Sequence, residues 1–410
     1  MSRAIAFMTP PAPGHVYPTL PLVQQLVARG HQVSYVTSPA LAAEVTAAGA
    51  QAVELDWQPD TSGLLPGADF SFQTLLTVLD EALDVTEAAF PYLLERFRRD
   101  RVELVCFDSV VLGPLLAAAL GARTVSLVPN LVSNEHFSLA EILPGFDPAH
   151  PGLAAHNARI ADFATRYGIT APNPTGGPAA GLTLVFLPRE FQIAGDTFDD
   201  SYRFIGPSVG ARADRGRWEP PHGDTPVLLI SLGTAFNNRP EFFASCVAAF
   251  GDTPWQVVMA VGDHIDPAVL GSIPANIEVA PDVPQLAVLR HATAFVSHAG
   301  MGSTMEALYH QVPLIAVPQV REQAVNARRL EELGLGRRLP SSTPTAHQLR
   351  AAVDQVATDP VIRHRLAEMK RVLDAAGGAV AGADAIEEYC AATRRQRPDR
   401  PSPEAPATRW

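Results

Sequence analysis

The stretch AFVSHAGMGSTMEALYHQVPLIAVPQVREQ, residues 294–323, holds a strand, a glycine-bearing turn, a helix and a second strand. Residues 294–297 are apolar and short, as a buried strand is. The turn His298-Ala299-Gly300-Met301-Gly302-Ser303 opens the helix, and residues 314–317 form the next apolar strand. Small residues at such a turn let backbone N–H groups approach a phosphate, and the helix dipole adds positive potential there. His298 and the Ser303 hydroxyl put side-chain donors on either side of the turn. Glu306 lies one helical turn further on, where a carboxylate can accept hydrogen bonds from a ribose diol. Glu322 and Gln323 follow the second strand, at the carboxyl edge where open α/β sheets bind ligands. A glycine turn of this kind is common in α/β proteins without any ligand. Its combination with Glu306 and the Glu322-Gln323 pair reads as a nucleotide-sugar site.

The same alternation extends over the chain. Strands are predicted at 4–8, 32–37, 51–55, 102–107, 124–128, 182–187 and 202–205, with helices at about 17–29, 39–48, 72–99 and 111–120. A second series has strands at 227–232, 256–261 and 277–280 ahead of the quoted block. Its helices fall at 241–250, 321–333, 345–358, 361–375 and 383–393. The strands are rich in Val, Ile and Leu without alternation, the pattern of parallel strands covered on both faces. Between the series, GPSVGARADRGRWEPPHGDT is rich in Gly, Pro and charge and has no period, as an interdomain linker does. The expected organisation is an α/β fold with two Rossmann-like domains, 1–206 and 226–375, joined by a linker at 207–225. A final helical segment, 376–393, and a Pro- and Arg-rich tail read as disordered, 394–410, complete it.

At 410 residues the chain can build two ordinary cores, and 47% hydrophobic with 18% charged residues is a globular composition. A net charge of −12 argues against nucleic acid as the main partner, because phosphate contacts need clustered Lys and Arg. Cys106, Cys246 and Cys390 stand far apart without metal spacing and read as buried small hydrophobes. The N-terminal apolar stretch is too short for a signal peptide, and the longest apolar tract, 102–132, is broken by Asp108, Gly113-Pro114 and Arg123. A cytoplasmic protein without stable membrane association is expected. The sequence leaves its oligomeric state open.

The first strand runs into Thr9-Pro10-Pro11-Ala12-Pro13-Gly14-His15. Proline has no N–H to offer, so this loop is a poor pyrophosphate cradle and a rigid mount for His15 instead. A neutral imidazole with an ordinary pKa suits a base that deprotonates a hydroxyl near neutral pH. Asp108 ends another predicted strand on the same edge. A carboxylate there can hold the second imidazole nitrogen, fixing the tautomer and stabilising the imidazolium.

These motifs together resemble the family-one glycosyltransferases of GT-B fold, over about residues 3–390. The quoted block resembles their donor signature. Val283-Pro284-Gln285-Leu286 resembles their W-x-P-Q element, and Ile230-Ser231-Leu232-Gly233-Thr234-Ala235-Phe236 and Gly14-His15-Val16-Tyr17-Pro18 also fit. The likeness is greatest to the bacterial macrolide-type branch, which glucosylates macrolides, flavonoids and other phenols. It implies His15 and Asp108 as a catalytic dyad. It implies a donor site of Ser231, Thr234, Val283, Gln285, His298, Gly300, Met301, Gly302, Ser303, Glu306, Glu322 and Gln323. It also implies a last helix that crosses back to the N-terminal domain.

The expected reaction is inverting transfer of a sugar, glucose first, from a UDP-sugar to a hydroxyl of an apolar small molecule. No cofactor beyond the nucleotide-sugar co-substrate is called for, and the chain has no Asp-x-Asp pair to hold a metal. Acceptor walls are expected at 58–77 and 131–146. The chain departs from the family at Asp282, where many members have a stacking Trp. Base recognition then falls to the Val283 backbone, and a dTDP-deoxysugar donor stays open. Glu322 likewise stands where Asp is more usual. A UDP-sugar epimerase of the same architecture, a nicotinamide oxidoreductase and a non-catalytic binding protein are the readings from other classes. The first would need carboxylates beside the sugar, the second lacks its glycine fingerprint, and the third has no use for the dyad.

Overall fold

The computed structural model describes residues 2–56, 71–108, 111–139, 144–170, 181–209, 216–221, 223, 225–234, 237–340 and 344–392. The tail 394–410 and segments 58–70 and 140–143 of the expected acceptor walls lie outside the described residues. In the first lobe seven parallel strands follow one another as β1 (Ala4–Met8), β2 (Gln32–Thr37), β3 (Gln51–Glu54), β4 (Leu104–Phe107), β5 (Arg123–Val128), β6 (Leu182–Val185) and β7 (Tyr202–Phe204). Their spatial order is β3-β2-β1-β4-β5-β6-β7. The β1 and β4 sequences, AIAFM and LVCF, are buried almost throughout, because helices cover both faces.

The second lobe repeats the device with six strands: β8 (Val227–Ser231), β9 (Gln256–Ala260), β10 (Ile277–Ala280), β11 (Ala292–Ser297), β12 (Leu314–Ala316) and β13 (Gly336–Arg338). Their order is β10-β9-β8-β11-β12-β13, again parallel. In each sheet the strand order reverses once, between β1 and β4 and between β8 and β11. Such a reversal leaves a crevice at the carboxyl ends of the two strands, where ligands of open α/β sheets bind. This is what places the site.

The chain crosses between lobes at Gly206 and again at Gly377-Gly378, and the two crossings touch: Gly378 N–H donates to the Ile205 carbonyl at 2.8 Å. The last helix, Gly378–Ala392, buries Ala383, Ala385, Ile386 and Cys390 in the first lobe's core with Leu22, Leu184 and Ile205. Arg29 bonds its Asp384 and Glu387, and Arg123 donates to the Cys390 carbonyl at 2.7 Å. No described helix is long and apolar enough to cross a membrane.

Some elements had not been assigned, among them the helix Pro151–Arg166 and strand β13. The helix is held by a His150 cap accepting from Gly152 N–H, by Phe163 edge-on to Phe90, and by Arg159 against Asp84 and Glu87 of the helix Phe72–Arg99. Strand β13 is only Gly-Arg-Arg, and pairing with β12 rather than propensity makes it a strand. Two described residues of the 207–225 segment are packed. Val209 is buried, and Trp218 packs on the second lobe with its indole N–H on Glu278.

Candidate active site

His15 is not in the loop but in the first helical turn, Pro13–Val16, where Pro13 starts a helix at no cost in lost N–H bonds. This turn follows β1, and Asp108 follows β4, so the strand reversal sets them side by side. Asp108 is 1% exposed. His15 Nδ1–H donates to its Oδ2 at 2.5 Å. The bond fixes the tautomer and leaves Nε2 as the acceptor on a side chain 38% exposed to the cleft. Burial lowers the His15 pKa, but the Asp108 charge, the bond to it and the Glu322 charge outweigh burial and raise it above the usual value.

The second crevice gathers the donor motif. His298 follows β11 and its imidazole lies between Gly233 and Gly300. A Cβ on Gly233, whose φ is +78°, would stand 2.6 Å from the imidazole Cε1, and one on Gly300 would collide with Nε2. Glycine at both positions is therefore what admits the ring. Burial lowers the His298 pKa to about 4, opposed by the hydrogen bond that the ring donates to the Ser231 backbone. The ring therefore brings no positive charge to the crevice and ties the turn after β11 to the end of β8. The helix Met301–Tyr309 begins at Gly300 with no side-chain cap, so its first N–H groups point into the crevice without a side-chain acceptor. Gln285 Nε2 donates to Glu306 at 2.6 Å and reaches the Ser303 hydroxyl at 3.3 Å, joining Gln285 to the helix Met301–Tyr309.

Several expected residues are buried or already hold contacts of their own. Met301 is 5% exposed, with its side chain in the core, so only its backbone N–H is available. The Ser231 hydroxyl is buried and accepts from Gly233 N–H at 3.2 Å, shaping the turn from within. Gln323 is buried too. Its Oε1 accepts from Gln319 N–H at 2.8 Å and Val320 N–H at 3.3 Å, leaving its amide N–H groups to offer. Val283 is buried beside an exposed Asp282, and Thr234 is exposed. In the acceptor walls, Leu131 and Val132 belong to the core, and Val132 N–H is bonded to Gln192.

Glu322 reaches across the cleft. Its Oε1 accepts from Asn130 Nδ2 of the first lobe at 2.6 Å. The surrounding protein raises its carboxyl pKa, opposed by the Asn130 bond and the His15 charge. The two crevices thus face each other, and the donor-motif carboxylate senses the imidazole. Asn130 escaped the sequence reading by one position, since the expected wall began at Leu131. Its place just beyond β5, beside the reversal, was the available signal. Arg239 was also missed: its guanidinium donates to Gln319 Oε1 at 2.5 Å, between the β8 and β12 loops.

Residues 245–377 match the EryCIII-like family, described as the C-terminal domain of erythromycin biosynthesis protein CIII-like. The chain is 38% identical over 403 residues to the NDP-glycosyltransferase YjiC of Bacillus licheniformis, covering 95% of this chain and 98% of that one. It is 37% identical over 414 residues to the oleandomycin glycosyltransferase of Streptomyces antibioticus, covering 97% and 94%. The structure of CalG4, the calicheamicin glycosyltransferase, superposes with a TM-score of 0.81 at 36% identity, over 95% of this chain and 98% of that one. With two facing parallel-sheet lobes and a nucleotide-sugar motif in the second, the chain belongs to the macrolide-type, GT-B-fold glycosyltransferases of family one.

Proposed function

We propose that the protein is an inverting, metal-independent glycosyltransferase that moves a hexose, glucose first, from a UDP-sugar to a hydroxyl of an apolar small molecule. Macrolides, flavonoids and other phenols or polyketides form the acceptor class. The observation that carries this reading is the His15–Asp108 pair at one strand reversal, opposite the His298–Ser303–Glu306 cluster at the other. His15 Nε2 takes the acceptor hydroxyl proton as the oxygen attacks the anomeric carbon. The bond from that carbon to the diphosphate breaks on the opposite face, and the diphosphate leaves with the electron pair. One displacement inverts the configuration, so no protein carboxylate need attack the sugar.

Asp108 keeps the tautomer and stabilises the imidazolium. The uncapped N–H groups at Met301, Gly302 and Ser303 and the Thr234 hydroxyl receive the growing charge on the diphosphate, and His298 holds the turn that presents them. Glu306 and Gln285 hold the ribose, Val283 holds the base through its backbone, and Glu322 with the Gln323 amide addresses the sugar. Oleandomycin in a relative's name supports a macrolide acceptor.

A mass-spectrometric screen of UDP-glucose against macrolide and phenolic acceptors tests the reading. A hexose mass gain, with UDP released only when acceptor is present and turnover unaffected by a chelator, is expected. UDP release or sugar interconversion without acceptor would overturn it in favour of an epimerase. The exposed Asp282, which offers no stacking face, keeps a dTDP-sugar as the second donor, and the same screen run with dTDP-glucose decides between them.

A further inference from the structure

Beneath the His15 turn lies a polar cluster that the mechanism above does not use. Thr9, Thr19 and Tyr35 are 2%, 0% and 0% exposed, in an otherwise apolar core. The Tyr35 hydroxyl lies 3.0 Å from Thr9 Oγ1 and 2.8 Å from Thr19 Oγ1. Thr19 Oγ1–H donates to the Val16 carbonyl at 2.8 Å, which uses its only proton. Across the contact with Tyr35 it must therefore accept, so the phenol donates to Thr19, while Thr9 Oγ1, which also reaches the Pro10 carbonyl at 3.3 Å, lies on the other side of the phenol oxygen. The result is a buried network that joins Thr9 and Thr19 through Tyr35 and ends on the carbonyl of Val16, next to His15. Thr9 comes directly after β1 and Thr19 ends the turn Tyr17–Thr19, so they bracket the segment that carries the base. Tyr35, on the neighbouring β2, ties both ends together with a single oxygen. Its ring is held by stacking on Phe7 of β1 at 5.6 Å between centroids.

We infer that Tyr35 is a positioning residue for His15, its hydroxyl holding the two ends of the Pro-rich segment so that the imidazole keeps its bond to Asp108. The inference rests on the reading of His15 as the base. Burial pushes the Tyr35 hydroxyl well up, against the Thr19 and Thr9 bonds, and the Asp108 charge adds to the rise. The phenol stays protonated throughout the working range and keeps its proton on Thr19. Three buried hydroxyls cost desolvation that an apolar trio would avoid. Satisfied networks of this kind specify a unique geometry, and a base displaced by about 1 Å loses up to roughly 10²-fold in rate.

Tyr35→Phe keeps the stack and removes only the hydroxyl. With an alcohol acceptor, turnover should fall about 10-fold with the donor KM unchanged. In a His15→Ala background, measured with an acidic phenol whose rate survives loss of the base, the same substitution should change nothing. Thr19→Val should reproduce the loss and Thr19→Ser should restore turnover, a pair that decides the matter if Tyr35→Phe does not fold. Full turnover in Tyr35→Phe, or an equal loss with and without His15, overturns the inference. Full turnover of the alcohol acceptor in His15→Ala alone would instead remove the reading of His15 beneath it, so the two failures are distinguishable.

Discussion

Replacing Asp108 with Asn removes one charge while keeping an acceptor for His15 Nδ1–H. With charge centres about 4 Å apart and an effective dielectric near 20, the Asp108–imidazolium attraction is about 4 kcal/mol. His15 is 38% exposed in its side chain, so solvent screening reduces this by about half, to about 2 kcal/mol. The imidazolium exists only once the acceptor proton has been taken, so the loss falls on the transition state, roughly 30-fold in plateau kcat. The same charge raises the His15 pKa against burial. A base works in its neutral form, so the rate climbs as pH rises through that pKa. Without Asp108 the pKa drops, and the acid limb should move to lower pH while the plateau falls. Initial rates of nucleoside diphosphate release from about pH 5 to 9 give both quantities from one data set. An unchanged plateau, or an acid limb displaced upward, would refute the reasoning.

Three further outcomes are expected. Glu306→Ala, which breaks the 2.6 Å bond to Gln285 and removes the ribose acceptor, should weaken UDP binding by about 1.5–3 kcal/mol in calorimetry and leave acceptor affinity alone. Unchanged UDP affinity would reject that assignment. Asp282→Trp adds a stacking face at an exposed position and should tighten UDP by roughly 1–3 kcal/mol, whereas weaker binding would make Asp282 itself part of base recognition. Gly300→Ala should fold normally, because φ at this position is −60°, but must displace the His298 ring; a UDP titration matching wild type would show that the ring's place does not matter.

The parallel sheets were legible because their strands are unbroken runs of Val, Ile and Leu, and the donor turn because glycines cluster at a strand's end. The His15–Asp108 pairing was legible because both residues follow strands, and strands of one parallel sheet end on one edge. What local pattern could not carry was set by partners elsewhere. Gln323 looked like a ligand group, yet its carbonyl is taken by the backbone at Gln319 and Val320, a geometry only the turn before it defines. Asn130 gains meaning from Glu322, 192 residues away. The helix Pro151–Arg166 had a Pro at its first position and Ile160 and Phe163 at helical spacing. Its stability comes instead from the helix Phe72–Arg99.

The last helix has a consequence for how the protein is made. Its Ile386 and Cys390 finish the core that begins with Ile5 and Leu22, and the helix comes so close at Gly382 that a Cβ there would stand 3.0 Å from Ile205 and 3.1 Å from Leu22. A lobe whose wall is supplied by residues 378–392 cannot close while those residues are still inside the ribosome. Domains generally fold in order as they emerge. Here the first lobe to be synthesised must wait, with part of its apolar surface open, until the second has been translated. The first lobe is begun before the second and completed after it, so truncation within residues 378–392 is felt in the first lobe.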